Sequence, residues 1–350
     1  MDITALLTLC VQQKASDLHL STGQPPLVRI DGELQRLQAP PLEAVDINTW
    51  LKTLLSEAQR HTYKQNLETD LAFALPGLGR FRCNIFNHQR GPGAVIRLIP
   101  AQIPVLEQLC PGQPSLSTSL HRLAALKSGL ILVTGATGSG KSTTLAALLN
   151  LINASQKVHI LTLEDPIEFI YQPQLALVNQ REIYRDSLGF APALRSALRE
   201  DPDVILIGEL RDLKTTRLAL SAAETGHKVF ATLHTRNAAT SINRLIDMFP
   251  AGEKPLIRSM LAESLQAVIA QALVPKSTGG RIAAYELMLG TPAIRNLIRE
   301  DKTAQIYSSI QTGASQGMQT LDQALQQLVA NQAISQATAQ AYARQPEAFA

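Results

Sequence analysis

The sequence predicts an α/β protein with two domains, of which the smaller, N-terminal one is α+β. A chain of 350 residues is longer than a single small core needs, which favours two domains. After about residue 120, short apolar runs alternate with helical stretches, and this alternation is typical of a mainly parallel sheet covered by helices. Before residue 100, apolar and polar residues alternate at period two, as they do in half-buried strands.

The N-terminal domain is predicted to comprise residues 1–100. Its expected elements are short helices and strands in which polar and apolar residues alternate. We expect an apolar helix at 3–13, a polar helix at about 47–66, strands at 16–21, 28–30, 33–37, 80–87 and 94–99, and a tight turn at Asp31-Gly32.

A change of composition separates this domain from the next. Residues 101–118 are rich in proline, serine and threonine and poor in charge, which is typical of an interdomain linker. We assign 119–290 to the larger domain and 291–350 to a helical C-terminal region. Because continuous apolar runs form strands that are buried on both faces, we expect strands at 130–134, 158–163, 204–207 and 229–233.

Composition argues against a nucleic-acid-binding protein and against a zinc protein. The formal net charge of +3 is small for this length, and aromatic residues make up 4% of the chain, with Trp50 the only tryptophan. The three cysteines, Cys10, Cys83 and Cys110, are too few for a four-cysteine zinc site and contain no C-x-x-C pair. We therefore expect no specific nucleic-acid partner and reduced thiols, as in the cytosol.

The sequence also predicts a cytoplasmic protein with no direct membrane span. No segment approaches the roughly 18–20 apolar residues that a membrane helix needs. The N-terminus carries Asp2 and no basic region, so it does not resemble a secretory signal. Any association with a membrane is expected to come through a partner.

The strongest motif is a phosphate-binding P-loop. Gly135-Ala136-Thr137-Gly138-Ser139-Gly140-Lys141-Ser142 matches G-x-x-x-x-G-K-[ST], follows a predicted buried strand and opens a predicted helix. Its backbone N–H groups and the helix N-terminus favour phosphate oxygens, so ATP is the expected ligand. Lys141 is expected to reach the β- and γ-phosphates, and the Ser142 hydroxyl to bind Mg²⁺. The expected nucleotide-binding residues are Gly135, Thr137, Gly138, Ser139, Gly140, Lys141, Ser142 and Thr143.

Three further side chains follow the predicted parallel strands. Glu164, Glu209 and His234 each stand at or just past the carboxyl end of a strand, where open α/β sheets place their sites. The glutamates could orient a water for attack on the γ-phosphate, or be solvated loop acids. His234 could sense the γ-phosphate or be a core histidine. A metal site formed with His227 is poorly supported, because no third ligand is near.

Several of these stretches resemble the secretion ATPase superfamily, and within it the PilT-type retraction ATPases of type IV pili. The matching stretches are 14–21, 80–82, 90–92, the P-loop, 163–168 (the Asp box), 197–203, 208–212 (Walker B) and the His box through His234. The resemblance implies a PAS-like N-terminal domain and a RecA-like P-loop domain. It further implies a homo-hexameric ATP-hydrolysing motor for pilus retraction and twitching motility. This motor would bind an inner-membrane pilus platform protein and so lie peripherally at that membrane.

The resemblance also implies arginine fingers from the N-terminal domain, which would supply positive charge to the phosphates. Arg82 and Arg97 are the first candidates, and Arg80 and Arg90 follow them. Each could instead be a solvated strand residue.

One helix separates retraction motors from extension motors in this family. Residues 293–300 match its motif, with Thr291 as cap, Pro292 at the first position and Arg295 predicted to face outward. Asp301 stands where many members carry glycine, as Ala272 stands where many carry a basic residue. The P-loop, Asp box and His box are shared with related machines, so a paralogous secretion, DNA-uptake or accessory retraction ATPase remains the alternative. A non-catalytic nucleotide-binding scaffold is disfavoured by the intact P-loop and both glutamates.

Overall fold

A computed structural model describes residues 2–30, 32–99 and 102–349. The chain divides into two compact units. The first ends at Gln102 and also includes Pro166–Phe169, and the second consists of Ile103–Asp165 and Ile170–Ala350. The turn predicted at Asp31-Gly32 includes Asp31, which lies outside the described residues, as does Ala101 at the start of the predicted linker.

Within the described ranges, the first unit is built on a six-stranded antiparallel sheet of order β3-β2-β1-β6-β5-β4. Its elements are α1 (Ile3–Gln12), β1 (Asp17–Ser21), β2 (Leu27–Ile30), β3 (Glu33–Arg36), α2 (Ala44–Leu54), α3 (Glu57–Asn66), β4 (Glu68–Leu75), β5 (Gly79–His88) and β6 (Gly91–Ile99). Phe81, Cys83 and Ile85 alternate with more exposed residues along β5 and are buried in the core. The period-two pattern therefore marks the face of the sheet that is covered.

The prediction of a single polar helix at 47–66 is wrong. The chain forms two helices there, α2 and α3, which are separated at Leu55 and Ser56. Ser56 breaks the helical path because its hydroxyl accepts the N–H of Gln59 and caps α3. The first helix is also amphipathic rather than polar, since Ile47 and Trp50 are buried.

The second unit contains a seven-stranded sheet, counted over the residues that the structure describes, of order β13-β12-β7-β11-β10-β8-β9. Every neighbouring pair is parallel except the hairpin of β12 and β13. The elements are α4 (Leu106–Leu109), α5 (Pro114–Ala125), β7 (Gly129–Thr134), α6 (Lys141–Ser155), β8 (His159–Glu164), β9 (Leu177–Glu182), α7 (Phe190–Ala197), β10 (Val204–Ile207), α8 (Leu213–Glu224), β11 (Lys228–Leu233), α9 (Ala238–Asp247), α10 (Lys254–Ser264), β12 (Leu265–Pro275), β13 (Arg281–Leu289), α11 (Pro292–Arg299), α12 (Ile306–Thr312), α13 (Leu321–Ala330) and α14 (Gln336–Tyr342). The predicted α/β class with a mainly parallel sheet is confirmed.

The four central strands are those that the apolar runs predicted. All residues of β7, β10 and β11 are buried, because helices cover both faces of a parallel sheet. The hairpin of β12 and β13 and the edge strand β9 were not predicted. Their sequences mix polar and apolar residues, so neither the continuous-run pattern nor strict alternation identifies them.

Residues 102–118 of the predicted linker contain two helical segments. From Ile103 onward they belong to the second unit, where they form α4 and the start of α5. Pro114 stands at the first turn of α5, a position that suits proline because no intrahelical N–H bond is lost there. Leu106 and Leu116 are buried, so these residues contribute to packing.

The helix of the retraction motif is α11, and its cap is as predicted. Thr291 accepts the N–H of Ile294, and Pro292 occupies the first turn. Arg295 does not simply face outward, since its guanidinium donates to the carbonyl oxygens of Ala262 and Glu263 at the end of α10. The free carbonyls of a helix C-terminus attract a cation, which explains this contact.

Asp301 takes a left-handed conformation directly after α11, with φ of 60°. Glycine is the residue that favours this conformation. The Asp301 carboxylate forms an ion pair with Arg258 at 2.5 Å. The substitution therefore keeps the end of the helix and adds a contact to α10.

Within the part of the chain that the structure describes, no helix is both long and apolar enough to cross a bilayer.

Lys228 at the start of β11 is a buried cation, 2% exposed, whose ammonium donates to the Ala124 carbonyl at 2.7 Å. Burial lowers its pKa from 10.5 to about 8, although the charge of Asp203 opposes this. Between these two values the folded protein holds Lys228 neutral while the unfolded chain keeps the proton. The free energy of unfolding therefore rises with pH in this window, by at most about 1.4 kcal/mol per pH unit.

We expect Lys228→Met to be more stable than wild type near neutral pH and to lose part of this advantage at high pH. Methionine avoids burying a charge, and Gln156 still donates to the Ala124 carbonyl at 2.9 Å. Urea denaturation of both proteins on either side of pH 8 measures the difference. Lys214→Met, at an exposed position of α8, is the matched control and should show no such pH dependence. A stability difference that does not change with pH would contradict the lowered pKa of Lys228.

Candidate functional site

The P-loop forms the turn between β7 and α6. Gly135 and Gly140 have φ angles of 147° and 90°, which side chains rarely permit. A Cβ at Gly135 would also lie 2.4 Å from the carbonyl oxygen of Gln271 in β12. Both positions therefore need glycine, one for its conformation and the close approach of a strand, the other to begin the helix in a left-handed turn.

Lys141 is held inside this turn. The residue is 9% exposed, and its ammonium donates to the carbonyl oxygens of Gly135 and Ala136 at 2.9 and 3.0 Å. The lysine stands in the first turn of α6, where the helix dipole also contributes positive charge. This end of α6 is thus an electropositive site that suits a phosphate group.

Gln271 supports the P-loop from the neighbouring strand. Its amide Nε2 donates to the Ser139 carbonyl at 2.6 Å, and the residue is 4% exposed. The Ser139 hydroxyl is buried and has no hydrogen-bond partner among the described residues. A buried polar atom without a partner is costly, so the loop fits a ligand that offers hydrogen-bond acceptors, as a phosphate does.

A cavity of about 240 Å³ adjoins the first turn of α6. Gly140, Thr143 and Thr144 form its wall on the side of the P-loop, and Lys276 and Arg281 line it from the β12–β13 hairpin. Its mixed polar and apolar wall suits the nucleoside part of a nucleotide.

Adjacent parallel strands bring the other three predicted residues to the same edge of the sheet. In the order β7, β11, β10, β8, the strands are followed by the P-loop, His234 and Glu209, and the last ends at Glu164. Leu233 pairs with Thr134, and Ile207 pairs with both Ala231 and Leu163, so the carboxyl ends are in register. The expected grouping of these side chains beyond the strand ends follows from that register.

His234 lies between the P-loop and Glu209. Its Nδ1 is 3.4 Å from the Thr137 hydroxyl, and its Nε2 is 3.4 Å from Glu209 Oε1. With the proton on Nε2, the ring donates to the carboxylate and accepts from the threonine. A movement of the P-loop can therefore be transmitted through His234 to Glu209. The side chain of His234 is 44% exposed, so it is not a core histidine.

Arg211 completes this arrangement. Its Nε donates to Glu209 Oε2 at 2.7 Å, and its NH1 lies 3.6 Å from Asp165 Oδ2. Burial by itself lowers the pKa of Arg211. The hydrogen bond to Glu209 and the charge of Glu209 together raise this pKa by more than burial lowers it, so its pKa is raised overall. The guanidinium thus stays charged and holds the Glu209 carboxylate in place.

Glu164 is held by its own neighbours at the end of β8. Its Oε1 accepts the Thr162 hydroxyl at 2.7 Å and the Gln180 amide at 3.3 Å. Gly208 lies beside it, and a Cβ there would come within 3.4 Å of the Glu164 Cα. Glycine at position 208 therefore allows the ends of the two strands that lead to Glu164 and Glu209 to approach each other closely.

The candidate arginines all lie in the first unit, where each contacts polar groups of that unit. Arg97 forms an ion pair with the buried Asp17 at 2.7 Å. Arg82 pairs with Glu168 at 3.4 Å, and Arg80 donates to the carbonyl oxygens of Ile167 and Glu168. Arg90 donates to the carbonyl of Thr22 at 3.0 Å.

Metal ligation by histidine is not supported. His227 and His234 stand before and after β11, at opposite ends of the strand, and His227 contacts the Ala222 carbonyl at 3.0 Å. No group of three or more His, Cys, Asp or Glu residues that could hold a metal ion occurs in ranges 2–30, 32–99 and 102–349. Ser142, predicted to bind Mg²⁺, is partly exposed in the first turn of α6, beside Lys141.

Two residues of this site were not assigned roles from the sequence. Arg211 stands two positions after Glu209, within the matching stretch 208–212. Its closeness to Glu209 in the sequence could therefore have identified it as a partner of that carboxylate. Gln271 is far from the P-loop in sequence, and only the pairing of β12 with β7 brings it there.

Comparisons with known proteins and with a family model agree on the family of this chain. Residues 1–348 match the family described as type II/IV secretion system protein. The chain is 56% identical over 349 residues to the "Type IV pilus retractation ATPase PilT" of Pseudomonas aeruginosa, covering 100% of both chains. It is 51% identical over 348 residues to the "Twitching motility protein" of Neisseria gonorrhoeae, covering 99% of this chain and 91% of the relative.

Among solved structures, the crystal structure of the pilus retraction motor PilT with bound ADP matches with a TM-score of 0.86 and 43% identity. The match covers 99% of this chain and 98% of that one. Family, relatives and structure agree over almost the full length, which confirms the resemblance found in the motifs. The chain belongs to the family of type II/IV secretion system proteins.

Proposed function

We propose that this chain is an ATP-hydrolysing motor subunit that powers the retraction of type IV pili. One observation carries the ATPase part. The P-loop, His234 and Glu209 follow adjacent parallel strands, and Glu164 ends the next strand. His234 contacts both Thr137 of the P-loop and Glu209. Such a group of residues can bind phosphates, orient a water and respond to the γ-phosphate.

ATP is the proposed substrate. Its phosphates would bind to the backbone N–H groups of the P-loop and to Lys141, which would exchange its P-loop carbonyl partners for phosphate oxygens. The contributing residues are Gly135, Thr137, Gly138, Ser139, Gly140, Lys141, Ser142 and Thr143. The hydroxyl of Ser142 would hold Mg²⁺, which when bound supplies positive charge to the phosphate oxygens.

Hydrolysis needs a carboxylate that orients the attacking water. We assign this role to Glu209, because Arg211 fixes its carboxylate and His234 contacts it. Glu164 would act with it from the neighbouring strand, and His234 would sense the γ-phosphate through Thr137. Arg82 and Arg97 of the first unit are proposed as arginine fingers, with Arg80 and Arg90 as the second choice.

Pilus retraction is inferred from the relatives named for retraction and twitching motility. The helix α11 carries the motif that marks retraction motors. By the same inference the chain forms a homo-hexamer in the cytoplasm and acts on an inner-membrane platform protein. We also propose that residues 1–100 form a PAS-like domain, 119–290 a RecA-like domain and 291–350 a C-terminal helical region.

Lys141→Ala and Glu209→Gln should each lower the rate of ATP hydrolysis by roughly 10²-fold or more, because each removes a group that acts on the transition state. Phosphate release by the purified full-length chain measures this rate. Only Lys141→Ala should also weaken ATP binding.

Two exposed residues provide matched controls. Lys157→Ala lies beyond the other end of α6, and Glu224→Gln lies at the end of α8. Both should hydrolyse ATP like wild type. Unchanged hydrolysis in Lys141→Ala and Glu209→Gln would overturn the assignment of the site.

Removal of an arginine finger should lower kcat by about 10³-fold with little change in KM. Arg82→Ala and Arg97→Ala test this, with the exposed Arg36→Ala as control. Arg97→Ala also breaks the ion pair to Asp17, so Asp17→Asn is needed beside it, because it breaks the same pair and keeps the guanidinium. An equal loss of kcat in Asp17→Asn and Arg97→Ala would show that Arg97 acts structurally.

Changes on the exposed face of α11 should abolish retraction and spare ATP hydrolysis. Ile298 is fully buried in the core, so a polar residue there would disturb the fold. Ala293→Glu and Asn296→Lys alter exposed positions instead. Twitching and ATP hydrolysis are measured for each, and Gln326→Glu on the exposed face of α13 is the control.

Deletion of the gene, complemented with wild type or Lys141→Ala, tests the role in the cell. We expect that only wild type restores retraction. Normal pilus retraction in the deletion strain would favour the alternative, a paralogous secretion, DNA-uptake or accessory retraction ATPase.

A further inference from the structure

Glu286 in β13 is a buried acid outside the nucleotide site. Its residue is 3% exposed, and the roles proposed above do not use it. A buried carboxylate is stable only when hydrogen bonds and charges compensate for lost water, so its partners indicate what it does.

The first partner is the start of α9. Glu286 Oε1 accepts the backbone N–H of Ala238 at 2.7 Å, and Ala238 is the first residue of that helix. The side chain of the N-cap residue Asn237 accepts the N–H of Thr240 rather than that of Ala238, whose N–H is bound by Glu286. The helix dipole adds to this attraction because its positive end faces the carboxylate.

The position of α9 matters because His234 immediately precedes it. Only Thr235, Arg236 and Asn237 separate the histidine from the first helical residue. The near end of this short loop is fixed by β11, and within it the Thr235 hydroxyl contacts the Ser241 hydroxyl at 2.6 Å. Glu286 fixes the far end, so its bond to Ala238 limits where His234 can lie.

The strand that carries Glu286 also contacts the start of α13 in the C-terminal region. The backbone of Leu321, its first residue, lies near enough to the Glu286 carboxyl group to lower its pKa. Just before this helix, Gln319 exchanges two backbone hydrogen bonds with Leu287, the residue after Glu286. Glu286 thus binds the N-terminus of α9, and the next residue of its strand binds the segment that leads into α13.

The surroundings of Glu286 raise its pKa, chiefly because the carboxyl group is buried. The backbone of Ala238 and Leu321 and the charge of Arg344 oppose this rise, and the charge of Asp322 adds to it. The two helix N-termini and Arg344 therefore supply positive charge to a carboxylate that water cannot reach.

We propose that Glu286 is a positioning residue for ATP hydrolysis, which holds the start of α9 and, through the three-residue loop, places His234 against Glu209 and the P-loop. This inference rests on the proposed ATPase function and on the role of His234 in it.

A double-mutant cycle on kcat tests the inference in the full-length chain. Glutamine is uncharged, so in Glu286→Gln its carbonyl oxygen is a weaker acceptor for the N–H of Ala238 and loses the attraction to the helix dipole. We expect Glu286→Gln to lower kcat about tenfold with KM for ATP nearly unchanged, because a small displacement of a reacting group is costly. In a His234→Ala background, measured by single turnover with labelled ATP, the same change should have no further effect.

Asp322→Asn is the matched control. Asp322 is also buried, at 6% exposure, and accepts backbone N–H groups, but from Arg344 and Gln345 rather than from the start of α9. We expect it to lower the thermal unfolding temperature and leave kcat unchanged. If Glu286→Gln does not fold, a folded Ala238→Pro variant provides the second test, since proline suits the first helical position and removes the N–H that Glu286 accepts.

An equal loss of kcat from Glu286→Gln with and without His234, or the same loss in Asp322→Asn, would overturn the inference. So would wild-type kcat in folded Glu286→Gln or, in its place, folded Ala238→Pro. An inactive wild-type protein would instead contradict the proposed function. The two failures are therefore distinguishable.

Discussion

The in-register ends of four parallel strands are the constraint on which the site of the second unit depends. Parallel strands place their carboxyl ends at the same edge, so groups from distant parts of the chain meet there without any direct sequence relation. Their hydrogen bonding fixes the order of the P-loop, His234, Glu209 and Glu164 along the edge. Contacts at 3.4 Å then link the P-loop to the carboxylate through one imidazole.

The antiparallel hairpin of β12 and β13 supports this edge from the side. Gln271 in β12 holds the P-loop and pairs with Tyr285 in β13, whose hydroxyl contacts Thr144 in α6 at 3.2 Å. The next residue, Glu286, points to the other face of the sheet because side chains alternate along a strand. The hairpin therefore fixes the helix that follows the P-loop on one face and the helix that follows His234 on the other.

Local signals predicted those features that a short stretch of chain decides for itself. The P-loop needs glycine at Gly135 and Gly140 whatever surrounds it, and Thr291 and Pro292 start α11 through their own backbone preferences. Predictions that depended on neighbours were weaker. Helical periodicity placed Arg295 outward, but the carbonyl end of α10 lies close enough to bind its guanidinium. Parts of the predicted linker are likewise helical, as α4 and the start of α5, where Leu106 and Leu116 are buried.

The sequence by itself determined the α/β class, the phosphate-binding loop, the acids and the histidine at the strand ends, and the membership of the family. Each of these follows from contiguous residues or from apolar runs, so the signal for it can be found in the sequence alone. Only the tertiary structure decided that Gln271 supports the P-loop, that Arg211 holds Glu209, and that Glu286 binds the start of α9. The physical reason is that strand pairing and the burial of polar groups between distant segments depend on which elements become neighbours, and sequence spacing does not specify that.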